Sequence, residues 1–201
     1  MDLEFSEEFA ALYKKFTSPQ CDRKSFIQNY LSANGVESSV LSIAGRQHIH
    51  VVFPTSAYSP LFRMKTIIAH YDRAGDSPGA NDNSSSVMSI MNFALRLSQK
   101  KTFHNVRIFF TDGEELSEYI KDDGGELYEI EQERKSVKNN PMLLGKMGAF
   151  GLAALFKKLN IMNDDVYVFD CTGRGNLPVL GQTDLPPKVS AVFAKKFKEL
   201  E

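Results

Sequence analysis

Short apolar runs rich in β-branched and aromatic residues recur along the chain, separated by stretches whose apolar residues return at helical spacing. Lys65 to Ala69 (K-T-I-I-A), Val106 to Thr111 (V-R-I-F-F-T) and Val166 to Phe169 (V-Y-V-F) read as strands, as does Gln47 to Phe53. The run at 65 to 69 lacks polar alternation, which predicts a central position in the sheet. Two helices are predicted to open the chain, Ser6 to Phe16 and Ser25 to Ala33. Asp22 lies near the N-cap of the second, Gly35 lies just past its end, and Phe26, Ile27, Tyr30 and Leu31 form its apolar face. A third spans about Ser85 to Gln99, capped by the S-S-S run, with Val87, Ile90, Met91, Ala94 and Leu95 on one side. Alternation of this kind predicts an α/β fold: three layers, α/β/α, around a central mixed, mainly parallel sheet.

Three of these strands end in groups that bind cations. The first runs into His70 and Asp72 and is followed by Asp82; the second runs into Asp112, Gly113, Glu114 and Glu115; the third runs into Asp170. In an open α/β sheet, side chains from the carboxyl ends of different strands meet in one crevice. One acid after one strand is an ordinary solvated loop residue or helix cap, but the repetition at three strand ends predicts a metal site. An imidazole among carboxylates suits a borderline-soft Lewis-acidic ion such as zinc better than calcium or magnesium, which take oxygen alone.

The motifs H-Y-D, P-G-A-N-D-N-S-S-S, F-F-T-D-G-E-E and V-Y-V-F-D, in this order and spacing, resemble the co-catalytic zinc aminopeptidase family of bacterial leucyl aminopeptidases, whose relatives include the glutaminyl cyclases. The resemblance covers about residues 20 to 200. It implies a metalloaminopeptidase acting on peptides with a free N-terminus. Asp82 would bridge two zinc ions, His70 and Asp170 would complete the first, Glu115 would bind the second, and Glu114 would be the general base. Asp72 would stand behind His70 and fix its tautomer. The resemblance also implies a cis peptide between Asp82 and Asn83.

There is one departure. The family's second metal takes a histidine far beyond the position of Asp170, whereas no histidine follows His104. His104 precedes its strand, and His48 and His50 lie within one, on a common face. One complete zinc site is therefore expected, and a chain lacking the family's last strands. The competing readings are a module that has lost catalysis and serves in binding or assembly, and a glutaminyl cyclase-like acyltransferase. The latter would leave His70 and Asp170 without a task.

Residues 116 to 147 interrupt the pattern with a charged insertion before G-A-F-G-L-A-A-L-F-K-K-L resumes a helix, and Pro187 to Leu200 reads as an amphipathic helix. With 201 residues, 42% apolar, a single domain is expected. A net charge of −1 offers nothing to nucleic acid or an anionic membrane. No apolar stretch reaches the roughly 18 residues of a membrane helix. The 2 cysteines, Cys21 and Cys171, are too few for a disulfide framework, and the acidic start lacks a secretory signal, so the cytoplasm is the expected compartment. The pattern leaves oligomerisation open.

Overall fold

A computed structural model describes residues 7–75, 77–115, 148–161 and 163–173. Helix α1 (Glu7–Phe16) leads into α2 (Arg23–Ala33), followed by strands β1 (Glu37–Ile43) and β2 (Arg46–Val52). Strand β3 (Lys65–His70) and a wide turn, Ala80–Ser84, feed α3 (Ser85–Ser98); β4 (Val106–Thr111), α4 (Gly148–Lys158) and β5 (Asp165–Val168) complete the described elements. The charged insertion and the amphipathic helix expected at 187–200 lie outside the described residues.

The sheet is mixed, with strand order β1-β2-β4-β3-β5. β1 and β2 form an antiparallel hairpin, β2 pairs antiparallel with β4, and β4, β3 and β5 are parallel. Alternation along β4 separates the two faces. Val106, Ile108 and Phe110 join the core beneath α1 to α3, with Phe16, Ile27, Leu31 and Met91. Arg107 and Phe109 point the other way, against Phe156 of α4. Helices thus cover both faces, in the expected three layers.

Three features depart from the sequence reading. Strand β1 was not foreseen: E-S-S-V-L-S-I carries three serines and no continuous apolar face, and its residues are exposed or half-buried. Only Gly45 pointed to the tight turn that joins it to β2, where Ala44 and Gly45 both have positive φ (51° and 80°), as a two-residue hairpin requires. Helix α2 starts at Arg23, two residues before the expected Ser25; Asp22 is its N-cap and accepts from the Ser25 amide at 3.1 Å. The serine run does not cap α3. Ser84, at the N-cap, makes no side-chain cap bond, and Ser85 Oγ donates to the Asn81 carbonyl at 2.8 Å.

Burial of a large apolar side chain contributes about 1.5–3 kcal/mol, and truncation adds the cost of the cavity left behind. Phe110→Ala, at a fully buried position shared by the sheet and α1 to α3, is expected to lower stability by about 3–5 kcal/mol in urea denaturation. Leu61→Ser, 86% exposed, should change it by under about 0.5 kcal/mol. Equal effects would contradict this layering.

Candidate metal centre

Parallel register brings the strand ends level. His70 pairs with Thr111 across β3 and β4, and Ile68 pairs with Val168 across β3 and β5. The chain therefore leaves the sheet at one edge in three adjacent places, delivering His70 and Asp72, then Glu114 and Glu115, then Asp170.

His70 is buried at the centre of the cluster. Its Nε2 lies 2.9 Å from Asp82 Oδ1, 3.5 Å from Asp170 Oδ1 and 3.9 Å from Glu114 Oε2. On the other side of the ring, Nδ1 faces Asp72 Oδ1 at 3.4 Å, an ion-pair distance too long for a good hydrogen bond. Asp72 reaches the other way as well, accepting from the Glu115 amide through Oδ2 at 2.8 Å, so one carboxylate braces both the imidazole and the acidic loop. Two groupings offer ligand atoms close enough to share an ion: His70 with Asp82 and Asp170, and His70 with Glu114 and Glu115.

The donor set fits a cation. Both ring nitrogens of His70 and Asp72 Oδ1 are buried without a hydrogen-bond partner. Such atoms are costly to leave unpaired. A divalent ion among His70, Asp82 and Asp170 would use the imidazole and offset the repulsion of the acids.

Side chains absent from the sequence reading hold these loops. Asn83 is fully buried; its Nδ2 donates to the Phe169 carbonyl at 2.9 Å and its Oδ1 accepts from the Cys171 amide at 3.3 Å. Asn81 Oδ1 accepts from the Gly173 amide at 2.9 Å. Together these carboxamides grip the backbone on both sides of Asp170, and the peptide between Asp82 and Asn83 is cis. The only sequence signal was the density of short amides around Asp82, residues that bond readily to nearby backbone.

The other histidines stand apart. His48 is fully buried and its Nδ1 accepts from the Asp112 amide at 3.3 Å. His50 stacks on Phe109, with centroids 4.7 Å apart. His104 packs edge-on against Phe53 at the far end of β4. None belongs to either ligand grouping among the described residues. Gly148, the first residue of α4, donates its amide to the Gly113 carbonyl at 3.3 Å, and a Cβ there would collide with the Asp112 carbonyl and the His48 ring. An open groove of about 550 Å³ between α1 and α2, lined by Leu12, Cys21, Phe26 and Tyr30 among others, contains none of the cluster.

Residues 54–184, more than half of the chain, match the sequence profile of Peptidase family M28. The chain belongs to that family. Among solved structures, an Acidobacteriales bacterium glutaminyl cyclase is similar at 15% identity and a TM-score of 0.57, over 94% of this M28 chain and 67% of that one. The LapA aminopeptidase of Legionella pneumophila is similar at 19% identity and a TM-score of 0.51, over 84% of this chain and 42% of its own. A Bacteroides thetaiotaomicron glutaminyl cyclase bound to N-acetylhistamine is similar at 17% identity and a TM-score of 0.39, over 53% of this chain and 47% of its own. At these identities the likeness to the first two speaks for the fold alone, and the chain spans less than half the length of the last two. No curated protein sequence matches it. Among the described residues, no helix of this M28 chain is long and apolar enough to cross a membrane.

The crowding of acids in the M28 site shifts its protonation. Burial opposes the charged form of His70, but Asp72, Glu114 and Asp82 outweigh it and push the imidazole up to about 9. Burial, with the charges of Asp82 and Glu114, pushes Glu115 up to about 7. Burial also raises Glu114, against the pull of His70 and with the push of Asp72, Asp170 and Asp82. Burial would raise Asp72 too, but His70 and the Glu115 amide prevail and lower it.

A metal ligand must be deprotonated, so an ion held by His70 would have to displace its proton at any pH below about 9. Apparent zinc affinity is expected to rise with pH by about tenfold per unit for each proton released, hence by about 100-fold between roughly pH 6 and 8. Competition with a chromophoric chelator at the two pH values measures this. A pH-independent affinity over this range would show that no proton has to leave His70 on binding.

Proposed function

We propose that the chain is a metal-dependent aminopeptidase that removes N-terminal residues from peptides, using Glu114 as general base. The observation that supports it best is the set of distances around His70 Nε2: Asp82 and Asp170 within 3.5 Å, and Glu114 at 3.9 Å. Ligand atoms and a basic carboxylate converge there from three separate strand ends, and membership of Peptidase family M28 agrees.

His70, Asp82 and Asp170 are the residues that would hold a zinc ion, with His70 oriented by Asp72. The bound ion would supply Lewis acidity, polarising the scissile carbonyl and making nearby water more acidic. Glu114 would take the proton of the attacking water as the oxygen adds to the carbonyl carbon. It would return that proton to the amine nitrogen as the C–N bond breaks. The upward shift of Glu114 favours this service, since a base near the working pH both accepts and donates readily. The carboxylates gathered around His70, with Asp72 held in its charged form by the imidazole and the Glu115 amide, would give the crevice a negative field that suits a substrate's α-ammonium group. For this chain the second-metal ligands proposed from the resemblance are Asp82 and Glu115 alone, so about one zinc per chain should be held tightly after dialysis against limiting metal.

The test is Glu114→Gln. Release of the chromophore from aminoacyl p-nitroanilides is expected to fall by about 10²- to 10⁴-fold while zinc content, measured by elemental analysis, stays unchanged. Loss of zinc in this variant would make Glu114 a ligand and sink the assignment. Glutaminyl peptides distinguish the cyclase reading: ring closure at an N-terminal glutamine, without release of other N-terminal residues, would replace the peptidase reading with it.

A further inference from the structure

We propose that Arg23, which lies outside the span matching the family, is a positioning residue for the metal centre: its buried guanidinium ties the end of β3, carrying His70 and Asp72, to the turn carrying Asp82. The inference rests on the reading that these residues hold a metal.

Arg23 opens α2 on the same stripe as Ile27 and Leu31, at four-residue spacing, and is 5% exposed. A charged residue on the buried stripe of an amphipathic helix ordinarily brings an acidic partner with it. Arg23 makes no ion pair among the described residues. Its bonds go to oxygens of two loops. Nη1 donates to the carbonyls of Tyr71 at 3.0 Å and Asp72 at 3.1 Å. Nη2 donates to the carbonyl of Pro78 at 2.8 Å, to that of Gly79 at 3.4 Å and to Ser84 Oγ at 2.7 Å. Phe16 covers the group, its ring centre 4.8 Å from Cζ.

The turn is moulded to this contact. Gly79 has φ 52°, and a Cβ there would stand 2.9 Å from Arg23 Nη2 and 2.7 Å from the Asp82 carbonyl. Ser84 Oγ, which receives Nη2, donates in turn to the Gly79 carbonyl at 2.5 Å. The planar fork sets the separation of the two loops, and with it the distance of Asp82 from His70. A lysine keeps the charge but cannot span both loops, because its donors share one nitrogen. The family match begins at residue 54, yet on this reading the site is completed from residue 23.

The experiment compares the full chain with Arg23→Lys and Ser84→Ala. Zinc affinity is read by chelator competition, site geometry by the visible absorption of the cobalt-loaded chain, and folding by thermal melts in excess chelator. Arg23→Lys is expected to melt cooperatively without metal, to bind zinc about 10- to 100-fold more weakly, and to show altered cobalt bands. Ser84→Ala, which removes one of the guanidinium's five contacts together with the bond to the Gly79 carbonyl, should show a smaller loss in the same direction. A folded Arg23→Lys with unchanged zinc affinity and cobalt spectrum would overturn the proposal. Should that variant not fold, unchanged values in Ser84→Ala would overturn it equally. A wild-type chain that binds no zinc would remove the metal reading and this proposal together, whereas normal binding in both wild type and variants removes this proposal alone.

Discussion

Repulsion among carboxylates is the constraint that the rest of the molecule has to contain. Asp72, Asp82, Glu114, Glu115 and Asp170 crowd one imidazole, and two such charges about 4 Å apart oppose each other by about 4 kcal/mol at an effective dielectric near 20. Strand pairing supplies the coarse restraint. Because β4, β3 and β5 are parallel and in register, their ends cannot spread apart without breaking ladder bonds. Backbone clamps supply the fine one: Asp72 to the Glu115 amide, Asn83 to either side of Asp170, and Arg23 across the loops between them. Most of these clamps pair a side chain with backbone, so they fix where a loop runs and leave the acidic side chains gathered around His70.

Much of this was legible because the strands announce themselves twice, by their apolar runs and by the acids and imidazole that follow. His70, Asp82 and Asp170 fall together on that logic, and the layered arrangement of helices follows from the spacing of Ile27, Leu31, Val87 and Met91. What stayed hidden lacks an apolar signature or depends on distant partners. Strand β1 is held by its hairpin partner more than by burial. Asn83 reads as one more polar turn residue until Phe169 and Cys171, over eighty positions away, come beside it. Arg23 stayed hidden because the predicted helix began at Ser25; only with the helix starting two residues earlier does it fall on the stripe through Ile27 and Leu31.

The contact between Gly148 and Gly113 bears on how the chain accommodates residues 116 to 147. The path leaves the sheet at the acidic pair and returns to within one backbone hydrogen bond of it, with Gly148 seated too closely against Asp112 and His48 to admit any side chain. Gly113 and Gly148 are thereby fastened to each other. Joining two fixed ends through a longer or shorter chain changes the closure entropy only slowly, by about 0.6 kcal/mol for each doubling of length. The spacing of Gly113 and Gly148 is therefore fixed by their own contact, as a clasp holds whatever bracelet it closes.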